Sequence, residues 1–203
     1  MSGLFHSPYP RILSTLLHMS TDEQIILHTR KWITDVVIGC NFCPFAAKEV
    51  KRNSIRYHVE RSAGLNSVLS ALISECLLLD EDDTIATTLV IYPDHFTSFG
   101  DYLELLDLAE TLLKKEGYEG IYQLASFHPE YQFGGTAKDD ASNYTNRSPY
   151  PMLHLLREDD VEKALAHFPD PDSIPEKNIA FTNHKGRAYM HALWLNSFVG
   201  DKK

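Results

Sequence analysis

Two hydrophobic periods run through the chain, and the change from one to the other marks its elements. The stretch STDEQIILHTRKWITDVVIG opens with Ser20 and Glu23 in capping-box spacing. It then places Ile25, Thr29, Trp32, Ile33, Val36 and Val37 on one helical face, which predicts a helix that Gly39 stops. In CNFCPFAAKEVKR, Pro44 stands where a first-turn proline belongs, so a short helix is expected with Cys43 as its N-cap. SIRYHVE switches to period two, setting Ile55, Tyr57 and Val59 against Arg56, His58 and Glu60, and predicts a strand with one wetter face. LNSVLSALISECLLLD returns to helical spacing, with apolar residues at 65, 68, 69, 72, 73 and 76. TTLVIYP reads as a buried strand. A long helix from about Ser98 carries Tyr102, Leu105, Leu106, Ala109, Leu112 and Leu113 on one side and ends at Lys114, Lys115 and Gly117. IYQLASF is a third strand.

Periodicity then lapses. Ser126 to Glu158 is long, polar and aromatic, and irregular segments of this length inside a compact domain are either disordered or functional. Its aromatic residues and a good helix start at Ser148, with Pro149 in the first helical position, predict order. The helix expected from Ser148 would put His154, Arg157 and Glu158 on one face. DDVEKALAHF follows as a short helix stopped by Pro169, PDPDSIP as a turn-rich connection, and residues 186–198 as a helix with Met190, Leu193, Trp194 and Ser197 in register.

Strand, helix, strand, helix, strand at this spacing implies parallel neighbours joined by crossovers. The expected class is therefore α/β: a small, mainly parallel sheet flanked by helices, with a long ordered loop over the C-terminal ends of the strands. Open parallel sheets bind ligands beyond those ends. Here that edge carries Arg61 and Ser62, then Asp94 and His95, then His128, Glu130 and Tyr131.

Composition narrows the function classes. A chain of 203 residues with 43% hydrophobic and 23% charged residues suits one α/β domain over residues 19–203. Residues 1–18 read as a disordered leader or the product of an upstream start, with Met19 directly before the first helix. The net charge of −9 argues against a nucleic-acid or anionic-membrane surface, and no apolar run reaches the length of a membrane span. Three cysteines, an odd number, point to a reducing cytoplasm.

FCPFA at 42–46, SFHPEYQF at 126–133 and NYTNRSPYPMLHLLRE at 143–158 resemble the signature of an uncharacterised bacterial family, domain of unknown function 1415, over about residues 21–180. The resemblance implies a single bacterial-type intracellular domain and carries no activity, substrate or cofactor. The family pattern holds an apolar residue at position 40, so the resemblance covers Cys43 but not a Cys40–Cys43 pair.

Several groups are able to carry chemistry. Cys43 at a helix N-cap would be an activated nucleophile, and in the alternative it is a small hydrophobe beside Phe42 and Phe45. His128, just past a strand and before Pro129, is either a general acid or base or a ring that pins the loop backbone. Asn146, Arg147 and Ser148 at a helix mouth form a candidate anion site, with the alternative that Arg147 pairs with Asp139 or Asp140. His154, Arg157 and Glu158 would supply a second wall, and Tyr131 a further ligand contact. The leading expectation is an intracellular enzyme acting on a small anionic metabolite by hydrolysis or group transfer. In it His128, Cys43, His154 and Glu158 are catalytic, and Asn146, Arg147, Ser148, Arg157 and Tyr131 bind substrate. The alternatives are a noncatalytic small-molecule binder or regulator, and a divalent-metal protein built on His128, His154 and a carboxylate. The cofactor and the oligomeric state are left open.

Overall fold

The computed structural model describes residues 21–166 and 168–199; the leader expected over residues 1–18 lies outside them. The first helix, α1 (Asp22–Trp32), is closed by a capping box one residue later than predicted. Thr21 accepts from the Gln24 N–H, and the Gln24 side chain accepts from the Thr21 N–H. It runs on into a π-helical turn, Ile33–Ile38, which ends at Gly39. Only glycine fits there, because a Cβ at this position would stand 2.2 Å from the carbonyl oxygen of Asp35.

The next elements follow the sequence closely. They are α2 (Ala46–Arg52), β1 (Ile55–Val59), α3 (Leu65–Glu81), β2 (Thr87–Ile91), α4 (Phe99–Lys115) and β3 (Tyr122–Phe127). The N-cap of α2 is Phe45, with no side-chain cap bond, so Cys43 sits in the preceding turn, where its carbonyl accepts from Ala46. Its thiol therefore lacks the helix-start position expected for it.

The main departure begins at Ser148. Instead of a helix, the chain runs extended into a fourth strand, β4 (Met152–Arg157), and the helix α5 (Glu158–Ala166) starts where the strand ends. Two features of the sequence account for this. Ser148 and Tyr150 each precede a proline, which disfavours the helical region for both. MLHLLR also has strand period: Leu153 and Leu155 join the core on one side of the sheet, while Met152 joins the core on the other. A short 3-10 turn and two further helices complete the described chain, α6 (Ile174–Lys185) and α7 (Arg187–Asn196). The last matches expectation, whereas α6 begins inside the predicted turn-rich connection.

The sheet order is β1-β2-β4-β3. β1 and β2 are parallel, but β4 lies antiparallel between β2 and β3, so the sheet is mixed and not mainly parallel. β1, β2 and β3 share a direction as predicted; the strand inserted between the last two is the one read as a helix. One face packs against α3 and α4, through Val90, Leu153 and Leu155 on the strands and Leu72, Leu79, Leu105 and Ala109 on the helices. The other packs Leu89, Ile91 and Met152 against Ile25, Trp32, Val36, Met190 and Trp194 from α1, the π turn and α7. Among the described residues, no helix is long and apolar enough to cross a membrane.

Candidate functional site

The long segment after β3 is ordered by its own hydrogen bonds and by two tryptophans from opposite ends of the chain. Trp32 Nε1 donates to the carbonyl of Arg147 and Trp194 Nε1 to that of Ser148, each at 2.9 Å. Asn143 is fully buried, and both polar atoms of its amide are bonded. Its Oδ1 accepts from the Phe133 N–H and the Thr136 hydroxyl, and its Nδ2 donates to the Ala137 carbonyl. Asn146 donates to the carbonyl of Ser126, and its own carbonyl accepts from the N–H of His128.

The predicted site residues of this segment are held in the same way. The buried guanidinium of Arg147 donates to the carbonyls of Tyr131 (3.2 Å) and Lys138 (2.6 Å) and lies over the Tyr144 ring. Neither Asp139 nor Asp140 is its partner: Asp140 caps Ser142, and Asp139 faces Arg187. Ser148 donates to the Tyr150 carbonyl and caps no helix. Tyr131 shares a contact of 3.4 Å with the Ser126 hydroxyl. Both ring nitrogens of the fully buried His128 are occupied, Nε2 donating to the Phe96 carbonyl at 2.9 Å and Nδ1 accepting from the Glu130 N–H at 2.9 Å. Burial pushes its pKa below the ordinary histidine value, with opposing contributions from the Phe96 bond and Glu130. The Phe96 it holds has a left-handed backbone (φ 55°), so this histidine fixes a turn that a phenylalanine does not favour.

A different place in the molecule is open. On the sheet face away from α3 and α4, toward the start of β1 and β2, a cavity of about 1460 Å³ lies between the strands, α2 and α5. The half of this face beneath α1 and α7 is filled by tryptophan, methionine and tyrosine side chains. The half beneath α2 and α5 meets Ala46 and Ala164 instead, with Ala86 and Ala125 on the sheet side, and these short side chains leave the space unfilled. Its wall is mainly apolar, including Ile33, Val37, Leu89, Phe127, Leu156 and Val161. The rings of Phe45 and Phe168, both lining it, meet edge to face at 6.0 Å. The exposed residues Lys48, Arg52, Asp83, Asp159, Asp160 and Lys163 form its rim.

His154 is the polar group set into the floor. It sits on β4 between Leu89 of β2 and Ala125 of β3, an inward position in the strand alternation. Its Nε2 is 2.6 Å from the hydroxyl of Thr87, which is also bonded to the Leu155 carbonyl. Its Nδ1 has no hydrogen-bond partner among the described residues. The ring keeps part of its surface because it borders the cavity, but it is surrounded by protein, and burial lowers its pKa to about 4. It is a neutral imidazole at neutral pH.

Of the predicted site residues, Cys43, His154 and Arg157 line this one cavity. Arg157 is committed, since its guanidinium donates to the carbonyls of Leu79 and Ile85 and to the Tyr122 hydroxyl and so caps the end of α3. Glu158 opens α5, its N–H donating to the Ile121 carbonyl, and is not part of the lining. His128, Tyr131, Asn146, Arg147 and Ser148 stay in the loop, so His128 and Arg147 do not meet His154 at the cavity. Among the described residues no group of three or more His, Cys, Asp or Glu side chains is placed to hold a metal ion, and the arrangement of His128, His154 and a carboxylate is not formed. Cys76 is a core residue, its thiol pushed up to about 12 by burial.

A family model described as "Protein of unknown function (DUF1415)" matches residues 24–192. The chain belongs to this family. No curated protein and no solved structure matches it. The matched span takes in every wall of the cavity, from Trp32 to Phe168, as well as the loop.

Sequence reasoning missed Thr87 and Arg52. Thr87 carried no signal in an apolar strand. Arg52 carries no ion pair among the described residues, although it lines the cavity beside the paired Lys48 and Lys163. What the sequence did offer was His154, a polar residue in the inward row of Met152, His154 and Leu156.

Proposed function

We propose that the protein binds a small molecule with an apolar body and an anionic end in the cavity between the sheet, α2 and α5, with His154 as its polar anchor in the floor. The observation that carries this is the uncommitted Nδ1 of a partly buried, neutral imidazole that lines a cavity of about 1460 Å³. An apolar cleft with a lone polar group in its floor is the usual means of holding and orienting a small ligand. Arg52, the rim cation without an ion pair among the described residues, supports an anionic end at the mouth. The free thiols of Cys40, Cys43 and Cys76 go with a reducing, cytoplasmic setting.

Octanoate, a carboxylate on an apolar chain, tests the reading by titration into ¹⁵N-labelled protein. Saturable shifts are expected at Ala125, His154 and Ala164, with His128 and Arg147 unmoved. Shifts confined to residues 128–151 would move the site back to the loop.

Cys43 in the same wall favours a second reading, an enzyme for hydrolysis or group transfer in which this thiol is the nucleophile and Nδ1 of His154 takes its proton. Cys43→Ser separates the two. Turnover of a ligand lost while its binding persists marks an enzyme, and unchanged turnover removes the thiol from the mechanism.

A further inference from the structure

The hydroxyl of Thr87 decides which ring nitrogen of His154 carries the proton. A threonine hydroxyl has one hydrogen, and the Leu155 carbonyl, which has none to give, takes it. Toward His154 the same oxygen is therefore left only as an acceptor. Its 2.6 Å partner, Nε2, must be the N–H of the ring. A neutral imidazole has a single N–H, so Nδ1 is a bare lone pair, and it is this atom that has no partner among the described residues.

From this arrangement we infer the ligand class at the deep end of the cavity: an uncharged O–H or N–H donor on an apolar body, such as a phenol, alcohol or indole, and not a carboxylate, ether or ester oxygen. The inference rests on the cavity reading above and adds a polarity to it. An acceptor oxygen placed against Nδ1 would set lone pair against lone pair and would leave the imidazole unsatisfied in an apolar wall, which costs more than the hydrogen bond gains. Protonating the ring to suit an acceptor is opposed by burial, which already holds the pKa near 4. The anionic end proposed for the ligand thus belongs at the rim with Arg52, and the two ends of the molecule are told apart by different groups of the protein.

Phenol and anisole differ by one methyl group on the oxygen and test the point. With ¹⁵N-histidine-labelled protein, two-bond proton–nitrogen correlations are expected to show His154 protonated at Nε2 and bare at Nδ1. Phenol should move the Nδ1 resonance upfield and bind about tenfold tighter than anisole, the worth of one hydrogen bond of ~1.4 kcal/mol. His154→Phe should abolish the preference for phenol or reverse it, because the phenol hydroxyl then has no acceptor. Thr87→Val, which keeps the shape of the side chain and removes the acceptor, should lose most of the preference and the fixed tautomer. Equal binding of the two probes to the wild type, with His154 resonances moving for both, would overturn the donor inference and leave the cavity reading standing. A ring protonated at Nδ1 in the free protein would overturn it as well. If neither probe moves any lining resonance at millimolar concentration, the cavity reading falls, and the inference with it.

Discussion

The two ends of the sheet hold their chemistry in opposite ways. Beyond the C-terminal ends of β1–β3 lies the part of the chain richest in functional side chains, and there the polar groups have been spent on one another. Both nitrogens of His128 are bonded, Arg147 is bound to two carbonyls, and every polar atom of the Asn143 amide has a partner. The opposite end carries its charged groups on an exposed rim, and in the apolar floor beneath them His154 keeps a nitrogen in reserve. A polar residue with all its bonds made inside the protein stabilises the fold and has little left to offer a ligand, whereas one left half-satisfied costs stability and is retained at functional sites. In the function proposed above, uncommitted valence and not the density of reactive residue types marks the site.

The contrast is open to attack first through stability. Trp194 is buried and carries the Ser148 carbonyl, so Trp194→Ala should lower the unfolding free energy by about 4 kcal/mol, the cost of a large core truncation. Arg147→Met should cost about 3 kcal/mol, because it removes the two hydrogen bonds that the buried guanidinium gives to the carbonyls of Tyr131 and Lys138 and its packing over the Tyr144 ring. Urea denaturation measures both. If instead Arg147 were an anion site held in tension, its replacement would leave stability unchanged or raise it.

His154 gives an intermediate effect, and its direction with pH is fixed. Its folded pKa, about 4, lies below the ordinary histidine value of 6.5, so the unfolded chain takes up a proton on acidification before the native protein does. Stability from this group is complete above pH 6.5 and falls progressively as the pH drops toward 4. Between pH 7 and pH 5 the loss should be about 2 kcal/mol. The pKa values of His28, His128 and His191 are also lowered, with burial the leading cause, and they add to the loss in the same direction. Urea midpoints of the wild type and His154→Leu at the two pH values isolate the share of His154. The variant should lie within about 1 kcal/mol of the wild type at pH 7, since a ring in an apolar wall is replaced by an apolar side chain, and should lose less on acidification. An unchanged acid loss would mean that the imidazole is not held neutral.

Much of this fold is legible in the sequence, and the illegible part has a single source. Helices α1, α3 and α4 and strand β1 carry an unbroken period, β2 and β3 are short apolar runs, and end signals such as Gly39 and Gly117 separate them, so they form where the sequence places them. The period-two row of β4 is broken to the eye by His154, so Pro149 reads as a helix start. The restriction that Pro151 places on Tyr150 is the local fact that opposed that reading. Reading this strand as a helix has three consequences: it makes the sheet mainly parallel, puts a helix behind the anion site at Ser148, and sets His154 on one face with Glu158. The cavity was hidden for another reason. It arises where alanines of α2 and α5 face alanines of the sheet across elements distant in sequence, and no local pattern records an absence of bulk.

The smallest effect on stability should come from Arg52, and there the comparison is sharpest. Its side chain is exposed in the last turn of α2 and makes no ion pair among the described residues, so Arg52→Ala should leave the unfolding free energy within about 0.5 kcal/mol of the wild type, against about 3 kcal/mol for Arg147→Met. Ligand binding should reverse the order. A carboxylate at the mouth gains from a guanidinium that no acidic side chain already neutralises, so octanoate affinity in 10 mM salt should drop severalfold in Arg52→Ala and change little in the folded fraction of Arg147→Met. Raising the salt to 1 M shortens the screening length from about 30 Å to about 3 Å and should bring wild type and Arg52→Ala together. Affinity in low salt that ignores Arg52 but follows Arg147 would put the anionic end back in the loop. The distinction between a spent end of the sheet and an open one would then fail where it makes its most specific claim.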